Sequence, residues 1–348
     1  MKTLRLILSQ NLGLLLAIGL FVVLYALYVS MHPNYGMNVI LQNGNEALAL
    51  ILVGMAQTMA VLVGGLDLSV GPLMTLVNCF GSIVMAGTGG NVVLGIIACM
   101  ALGAACGFMN GCVIVYGRIQ PIIATLATGA IYLGAALFLR PTPGGAIDGD
   151  FAWAFTNDIN ELGLTYGWWE DLGWFGLLPL QPFYLIALIL LVWIPFRRTA
   201  TGRGCYAIGS SESAAFMSGV KINRCKLTAF TLGGFFAGCA GIYLTMQIGS
   251  GNADAPQAAE YTLRSIATVV IGGTSLYGGS GGVIGTIFGA LVLRSISFIF
   301  RVVPEASALG FVASPLLQPF FEGIILLVAV SLGAARTFRV RNRLSLFT

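Results

Sequence analysis

Long apolar runs constrain this chain more than any other feature of its sequence. Several of them approach the roughly 20 residues that a helix needs to cross a bilayer, and in hydrocarbon only helices or closed barrels satisfy every backbone hydrogen bond. The chain of 348 residues is 57% hydrophobic and 9% charged, whereas a soluble domain is about 25% charged. We therefore predict an all-α polytopic membrane protein with a single transmembrane domain over residues 1–348.

The hydropathy pattern predicts about ten transmembrane helices. They cover residues 11–30, 46–64, 70–87, 91–112, 121–139, 182–196, 227–248, 263–278, 282–300 and 316–333. The pair over 263–300 has a glycine-rich centre, so a re-entrant hairpin is the alternative there. Glycines at every fourth position in 103–111, and a similar stripe in 233–241, predict closely packed helices.

The distribution of charge predicts the orientation in the membrane. The loop 197–226 carries six Lys and Arg residues against one acid, and basic residues also precede the first span and fill the tail at 336–343. The loop 140–181 carries six acids against Arg140 and holds four of the five tryptophans. We expect both termini and the 197–226 loop in the cytoplasm, with the 140–181 loop outside.

The residue inventory argues against several kinds of chemistry. The sequence contains no phosphate-binding G-x-x-x-x-G-K-[ST] loop. It has a single histidine, His32, which argues against a histidine metal site and against a histidine-based catalytic triad. The seven cysteines form no CxxC pair, and the short basic clusters do not indicate nucleic-acid binding. We expect no cofactor in this chain, so that any ATP is used by a partner subunit.

A few polar residues within or between the apolar runs are candidates for a solute path, because a charge in hydrocarbon needs a partner or a polar cavity. These are Asp67, Asn78, Asn110, Gln120, Arg264 and Arg294. Asp67 has a second interpretation, in which it only pins a hairpin by accepting backbone N–H bonds. The arginines likewise have a structural alternative, as ion pairs with Glu260, Glu322 or Asp67.

A short polar segment in the 197–226 loop has the pattern of a helix that does not cross the membrane. Ser210 or Ser211 can cap its start, Glu212 suits the positive end of the helix dipole, and Gly219 can end it. The segment also carries Ala214, Ala215, Phe216 and Met217. The residue pattern alone leaves two interpretations open: docking of a partner protein, or a helix lying on membrane lipid.

Three stretches of the chain resemble one family. Gly64 to Gly71 reads GGLDLSVG and resembles the GGIDLSVG signature of membrane permeases in bacterial ATP-binding-cassette importers for ribose-type sugars. Residues 267–279 are similar to that family's AVVIGGTSLxGG segment. Ala207, Gly209, Ala214, Ala215, Gly219 and Val220 match its A-x-G…A-A…G-[IV] loop, which couples to the ATPase.

The resemblance implies a type II importer-like permease that translocates a small polar solute, most plausibly a monosaccharide, through the bacterial inner membrane. It implies three partners: a cassette ATPase, a periplasmic solute-binding protein and a second permease subunit, like or homologous. It also assigns ATPase coupling to Gly209, Ser211, Glu212, Ala214, Ala215, Phe216, Met217 and Gly219. The alternative is a secondary transporter or facilitator that uses Asp67 or Glu322 as a proton relay.

The chain departs from the family pattern at two arginines. Typical members read YELDAIA where this chain has Tyr261 to Ala267, so that Arg264 replaces a carboxylate, and Arg294 replaces an asparagine in the next helix. Two added positive charges change the electrostatics along these helices, so the family resemblance does not establish ribose as the solute.

Overall fold

The computed structural model describes residues 12–87 and 90–303, together with positions 317, 320, 323, 324 and 327. Apart from those five positions, the predicted span over 316–333 lies outside the described residues, as do Glu322, Lys2, Arg5 and the basic tail. Within the described ranges, all elements of regular secondary structure are helices. The α-helices, numbered α1 to α14 in chain order, are Leu12–Met31, Met37–Leu62, Val70–Val84, Gly90–Tyr116, Pro121–Leu139, Gly149–Thr156, Ile159–Tyr166, Gln181–Leu188, Ile194–Arg198, Ala200–Ser210, Glu212–Met217, Ile222–Ile248, Ala255–Ile271 and Val283–Val302.

Seven helical segments within the described residues are long and apolar enough to cross a membrane. Six of them are α1, α2, α4, α5, α12 and α14. The seventh is Gln181–Arg198, in which a short π-helical stretch, Ile189–Trp193, joins α8 to α9. These findings confirm a polytopic all-α membrane protein.

Two predicted spans have other bounds in the structure. The helix predicted over 70–87 is α3, which has 15 residues. The one predicted over 263–278 is α13, which starts at Ala255 because Asp254 caps it, its side chain accepting from the Gln257 N–H at 3.3 Å. It ends at Ile271, where a turn follows with positive φ at several glycines, Gly273, Gly278 and Gly279 among them. Thus α13 and α14 form a helical hairpin with a glycine-rich turn.

Helix α2 is the centre of the bundle and α1 lies at its edge. In the most apolar window of each helix, 89% of α2 residues are buried inside the chain but only 11% of α1 residues. Helix α12 packs against α4, α2 and α3, and α1 packs along α14. The apolar side chains of α1 therefore remain available to lipid or to another subunit.

The predicted glycine stripes form the contact between α4 and α12. A Cβ atom added to Gly107 would lie 2.3 Å from the carbonyl oxygen of Phe230, and one added to Gly103 would lie 2.6 Å from that of Gly234. The two backbones approach this closely only because neither helix carries a side chain there. The prediction of small-residue packing is confirmed.

The bundle has two distinct ends. The end that carries the 140–181 segment with α6 and α7 is called the acidic end, and the end that carries α10, α11 and the α13–α14 turn is called the basic end. Helix α2 runs between them, since Gly44 packs on Gln181 near its start and the Leu62 carbonyl contacts the α13–α14 turn. Asp67 follows α2, so it lies toward the basic end.

Candidate functional site

Asp67 lies in the turn between α2 and α3, with only 4% of its surface exposed. Its Oδ1 accepts from the Ser69 N–H at 2.8 Å and from the Ser69 hydroxyl at 2.6 Å. In the amide orientation that pairs both of its polar atoms, Gln57 of α2 donates to the Asp67 carbonyl at 2.8 Å and accepts from the Asp67 N–H at 3.3 Å. Side chain and backbone of Asp67 are thus both held by hydrogen bonds within the chain.

The hydrogen-bond network of Asp67 continues into two further helices. Asn110 of α4 donates to the Ser69 hydroxyl at 2.8 Å, and the Tyr132 hydroxyl of α5 donates to the Asn110 side-chain oxygen at 2.8 Å. Gly71 adds a third link, since its N–H donates to the Thr262 hydroxyl of α13 at 3.1 Å. The structure therefore brings Asp67 and Asn110 together in a buried network that joins α2, α3, α4, α5 and α13.

Asn78 and Gln120 lie apart from this network. Asn78 of α3 is buried, donates to the Thr245 hydroxyl at 3.1 Å and accepts from the Asn252 N–H at 2.9 Å. It fixes the segment that follows α12. Gln120 is exposed at the start of α5, where it borders a cavity that Lys226 also lines.

The two arginines each pair with a carboxylate. Arg264 pairs with Glu260 one turn earlier on α13, one of the partners expected from the sequence. Arg294 of α14 is buried, and its nearest carboxylate is Glu46 of α2, with 3.7 Å between Nη1 and Oε2. Glu46 also pairs with Arg301 at 2.7 Å. Among the described residues, the carboxylate partner of Arg294 is thus Glu46, which was not proposed from the sequence, while Glu322 lies outside the described residues.

The three stretches that resemble the permease family converge at the basic end. The Gly279 N–H donates at 3.2 Å to the carbonyl of Leu62, which lies two residues before Gly64. A Cβ added to Gly209 of α10 would lie 2.2 Å from both the Gly279 nitrogen and the Leu62 oxygen. A Cβ added to Gly278 would lie 2.8 Å from the Gly64 nitrogen. Backbone therefore meets backbone where α10, the α2–α3 turn and the α13–α14 turn come together.

Tyr206 adds a side-chain link to this junction. Its hydroxyl donates to the Gly281 carbonyl at 3.0 Å, and a cavity of about 280 Å³ between them is also lined by Trp193 and Arg197. Burial raises the pKa of the Tyr206 hydroxyl, so that it stays a hydrogen-bond donor at neutral pH. Helix α10 is therefore fixed to the α13–α14 turn by a side chain as well as by close backbone contact.

Helix α11 is short, capped at both ends and apolar on its open side. Ser211 caps its start by accepting from the Ala214 N–H at 3.4 Å. At the other end, Gly219 has φ +77°, and its N–H donates to the Phe216 carbonyl at 2.9 Å, which closes the helix as the sequence predicted. Phe216 is 72% exposed and Met217 is 86% exposed.

The remaining residues of this segment anchor α11 to the bundle. Ala215 is buried, while Ala214 lies on the exposed part of the helix. Glu212 forms an ion pair with Lys226 of α12 at 2.7 Å. The predicted coupling residues therefore form one unit, with Gly209 against the bundle and two large apolar side chains facing outward.

Several residues of these sites were missed by the sequence reasoning. Gln57 and Tyr132 complete the Asp67 network, and Tyr206 fixes α10, but single polar residues in apolar or loop sequence give no signal of their partners. Glu46 did carry a signal, since it is a carboxylate beside a long apolar run. The predicted span began at residue 46, whereas the helix begins at Met37. The prediction therefore placed Glu46 at the membrane boundary, and this concealed the signal.

Comparison with known proteins agrees with the sequence motifs. The family described as "Branched-chain amino acid transport system / permease component" matches residues 39–330. The ribose import permease protein RbsC of Bacillus subtilis (strain 168) is 33% identical over 284 residues, which is 81% of this chain and 80% of that protein. The fructose import permease protein FrcC of Rhizobium meliloti is 33% identical over 252 residues, 72% of this chain and 68% of that protein.

A further relative is more distant. The D-allose transport system permease protein AlsC of Escherichia coli (strain K12) is 28% identical over 278 residues, 79% of this chain and 80% of that protein. No solved structure gives a significant match. Because the family match covers most of the chain and includes all three stretches that meet at the basic end, the chain belongs to the family of branched-chain amino acid transport system permease components.

Proposed function

We propose that this chain is the membrane-spanning permease subunit of an ATP-driven importer that brings a monosaccharide across the bacterial inner membrane. The substrate class rests on the relatives, which are import permeases for ribose and fructose and a transport permease for D-allose. The ATP-driven mechanism rests on one observation, the convergence of Gly209 with the two glycine-rich turns beside an exposed apolar helix. The topology of about ten spans, the type II arrangement and the cytoplasmic termini belong to the same proposal.

In this proposal a separate cassette ATPase binds α11. Phe216 and Met217 enter a groove on the ATPase, because they are large, apolar and exposed. Movement of α11 passes through Ser211 to α10. From α10 it reaches the α2–α3 and α13–α14 turns, because Gly209 contacts both turns through backbone atoms. Such a contact has no flexible side chain that could absorb the motion. A periplasmic binding protein delivers the solute at the acidic end, and a second permease subunit completes the path.

The buried polar residues have different roles in this proposal. Asp67 and Asn110 position the α2–α3 turn, since they bond to Ser69 within the chain. Asn78 positions the segment after α12. Among the six, Arg294 is the candidate that we retain for the solute path, because one of its buried nitrogens, Nε, has no hydrogen-bond partner.

The test is uptake by the reconstituted complex. The chain is assembled in lipid vesicles with its cassette ATPase and binding protein, and uptake of D-ribose, D-fructose and D-allose is measured with and without ATP. We expect ATP-dependent uptake of at least one sugar. Uptake that needs a proton gradient but no ATP would refute the proposal and favour secondary transport.

Coupling through α11 has its own test in the same system. Replacing Phe216 and Met217 together by glutamate and lysine should abolish ATP-dependent uptake or release the ATPase, because each charge that is buried in an apolar groove costs several kcal/mol. Tyr116→Glu is the matched control, since Tyr116 is 68% exposed at the end of α4, outside α11. A double variant that assembles and transports as well as this control would show that energy enters elsewhere.

A further inference from the structure

A third cavity lies at the acidic end, far along α2 from Asp67. It has a volume of about 650 Å³, and residues of α6 form part of its lining. Asn38, Gln42 and Asn45 line one wall. They share one face of α2, since residues spaced by three or four positions lie above one another on a helix. Trp153 of α6 adds an aromatic side chain to the lining.

The carboxylate in the lining of this cavity is already paired. Among the described residues, Glu46 is the only charged one in that lining. Its carboxylate is 2.7 Å from Arg301 and 3.7 Å from Arg294, so two arginines face this single carboxylate. Neutral amide groups, which both donate and accept hydrogen bonds, supply most of the remaining polar lining.

Buried side-chain atoms without a hydrogen-bond partner lie beside this cavity. In the part of the chain that the structure describes, four buried side-chain atoms have no hydrogen-bond partner: Asn43 Nδ2, Glu46 Oε2, Gln181 Oε1 and Arg294 Nε. All four belong to residues 43–46 of α2 or to side chains that contact that segment, since Gln181 donates to Asn45 and Arg294 pairs with Glu46. Buried polar atoms are normally paired, and unpaired ones in a native structure indicate a missing partner.

We propose that this acidic-end cavity binds a neutral polyhydroxylated solute of monosaccharide size. The inference deepens the function proposed above and rests on it. Sugar hydroxyls donate and accept, which matches the amides in the lining, and one of the four unpaired atoms, Glu46 Oε2, belongs to a lining residue. The C–H face of a sugar ring can pack on the indole of Trp153, and the volume falls within the roughly 300–1,000 Å³ of small-molecule sites.

The same observations disfavour an amino acid as the ligand. A free amino acid carries a carboxylate and an ammonium group, and each needs an opposite charge when it leaves water. The one carboxylate in the described lining already has two arginine partners, so no free anion remains there for the ammonium group. A neutral solute therefore fits the cavity better than a zwitterion does.

The experiment measures protection of a cysteine by solute. Asn38→Cys is introduced into the full-length chain in vesicles and labelled with a membrane-impermeant maleimide from outside, and the labelling of the unsubstituted chain is subtracted. Asn91→Cys is the matched control, since Asn91 is also an exposed asparagine at the acidic end but does not line the cavity. The probes are D-ribose, D-fructose, D-allose and L-leucine, each titrated until the labelling rate no longer falls.

We expect at least one of the three sugars to slow labelling of Asn38→Cys about threefold at twice its apparent Kd, because two thirds of the sites are then occupied. The same sugar should leave labelling of Asn91→Cys unchanged. Adding Gln42→Leu to the Asn38→Cys variant should raise the sugar concentration needed for protection, because Gln42 is an exposed lining residue.

Three outcomes overturn the assignment of this cavity. They are protection by no sugar, equal protection by L-leucine, and equal protection of Asn91→Cys. Each can be told apart from a failure of the importer proposal, because ATP-dependent uptake by the unsubstituted complex is measured separately. A sugar that is transported but does not protect Asn38→Cys disproves the cavity site alone.

Discussion

Close packing between α4 and α12 makes a specific prediction for Gly107→Ala. The new Cβ atom would lie 2.3 Å from the Phe230 carbonyl oxygen and 2.8 Å from the Gly234 Cα, whereas ordinary contacts begin at 3.4 Å. The neighbouring atoms are backbone, so no side chain can rotate away. The two helices must therefore move apart by about 1 Å, the shortfall at the nearest atom.

This movement sets the size of the effect. A gap of 0.5–1 Å forfeits roughly a quarter to a half of the dispersion energy of the contacts that it opens. Overpacked sites typically cost about 1–3 kcal/mol. The higher helix propensity of alanine stabilises the helix by up to about 1 kcal/mol and so offsets part of this cost. The net expectation is a loss of about 1 kcal/mol in the free energy of unfolding, the middle of a range of about 0–2 kcal/mol.

Gly134→Ala is the matched control for this substitution. Gly134 is also inside a helix, α5, but a Cβ added there meets no atom within 4 Å. The control should be neutral or gain up to about 1 kcal/mol, which separates the melting temperatures of the two variants by a few degrees.

The native thiols provide the assay. All seven cysteines are free and six of them are buried, so a thiol-reactive dye reports unfolding when the purified protein is heated in detergent. Gly107→Ala should melt below the unsubstituted chain, and Gly134→Ala should not. If Gly107→Ala melts at or above Gly134→Ala, the close contact of α4 with α12 is not present in the protein.

Three further predictions concern the turn after α2, the basic end and the orientation. Asp67→Ala should lower the thermal stability by about 1–3 kcal/mol, because it leaves the buried N–H and hydroxyl of Ser69 without their acceptor, and an unchanged melting temperature would contradict a pinning role. Gly209→Ala should reduce ATP-dependent uptake, because its Cβ would lie 2.2 Å from the backbone of two neighbouring turns, whereas Gly149→Ala, with no atom within 4 Å, should not. An impermeant maleimide should label Asp171→Cys in intact cells but Ser213→Cys only after permeabilisation, and the reverse pattern would invert the proposed orientation.

Local features of this protein were predictable from its sequence. The ends of α11 are an example, since Ser211 and Gly219 act on backbone groups within three or four residues of themselves. The span-length helices and the glycine stripes followed from periodicity along single helices. The start of α13 was predicted too late, because polar residues such as Gln257 and Glu260 interrupt the apolar run although the helix already begins at Ala255.

The partners of the polar residues were decided by tertiary structure. The sequence proposed Glu260, Glu322 or Asp67 as partners for the arginines, and only the pair of Arg264 with Glu260, one turn apart on the same helix, is present in the described residues. Arg294 instead meets Glu46, because α14 packs on α2. Which side chains meet across helices depends on how whole helices pack, and no local pattern encodes that.

The same division holds for the two sites. The three family-like stretches could each be found along the chain, but their meeting around Gly209 requires the folds of α10 and both glycine-rich turns. The acidic-end cavity had no sequence signal at all, since Asn38, Gln42 and Asn45 resemble ordinary polar residues at a helix start. Capping and hydropathy depend on a few neighbouring residues, so the sequence alone predicts them. A cavity or a junction exists only once distant helices are packed together.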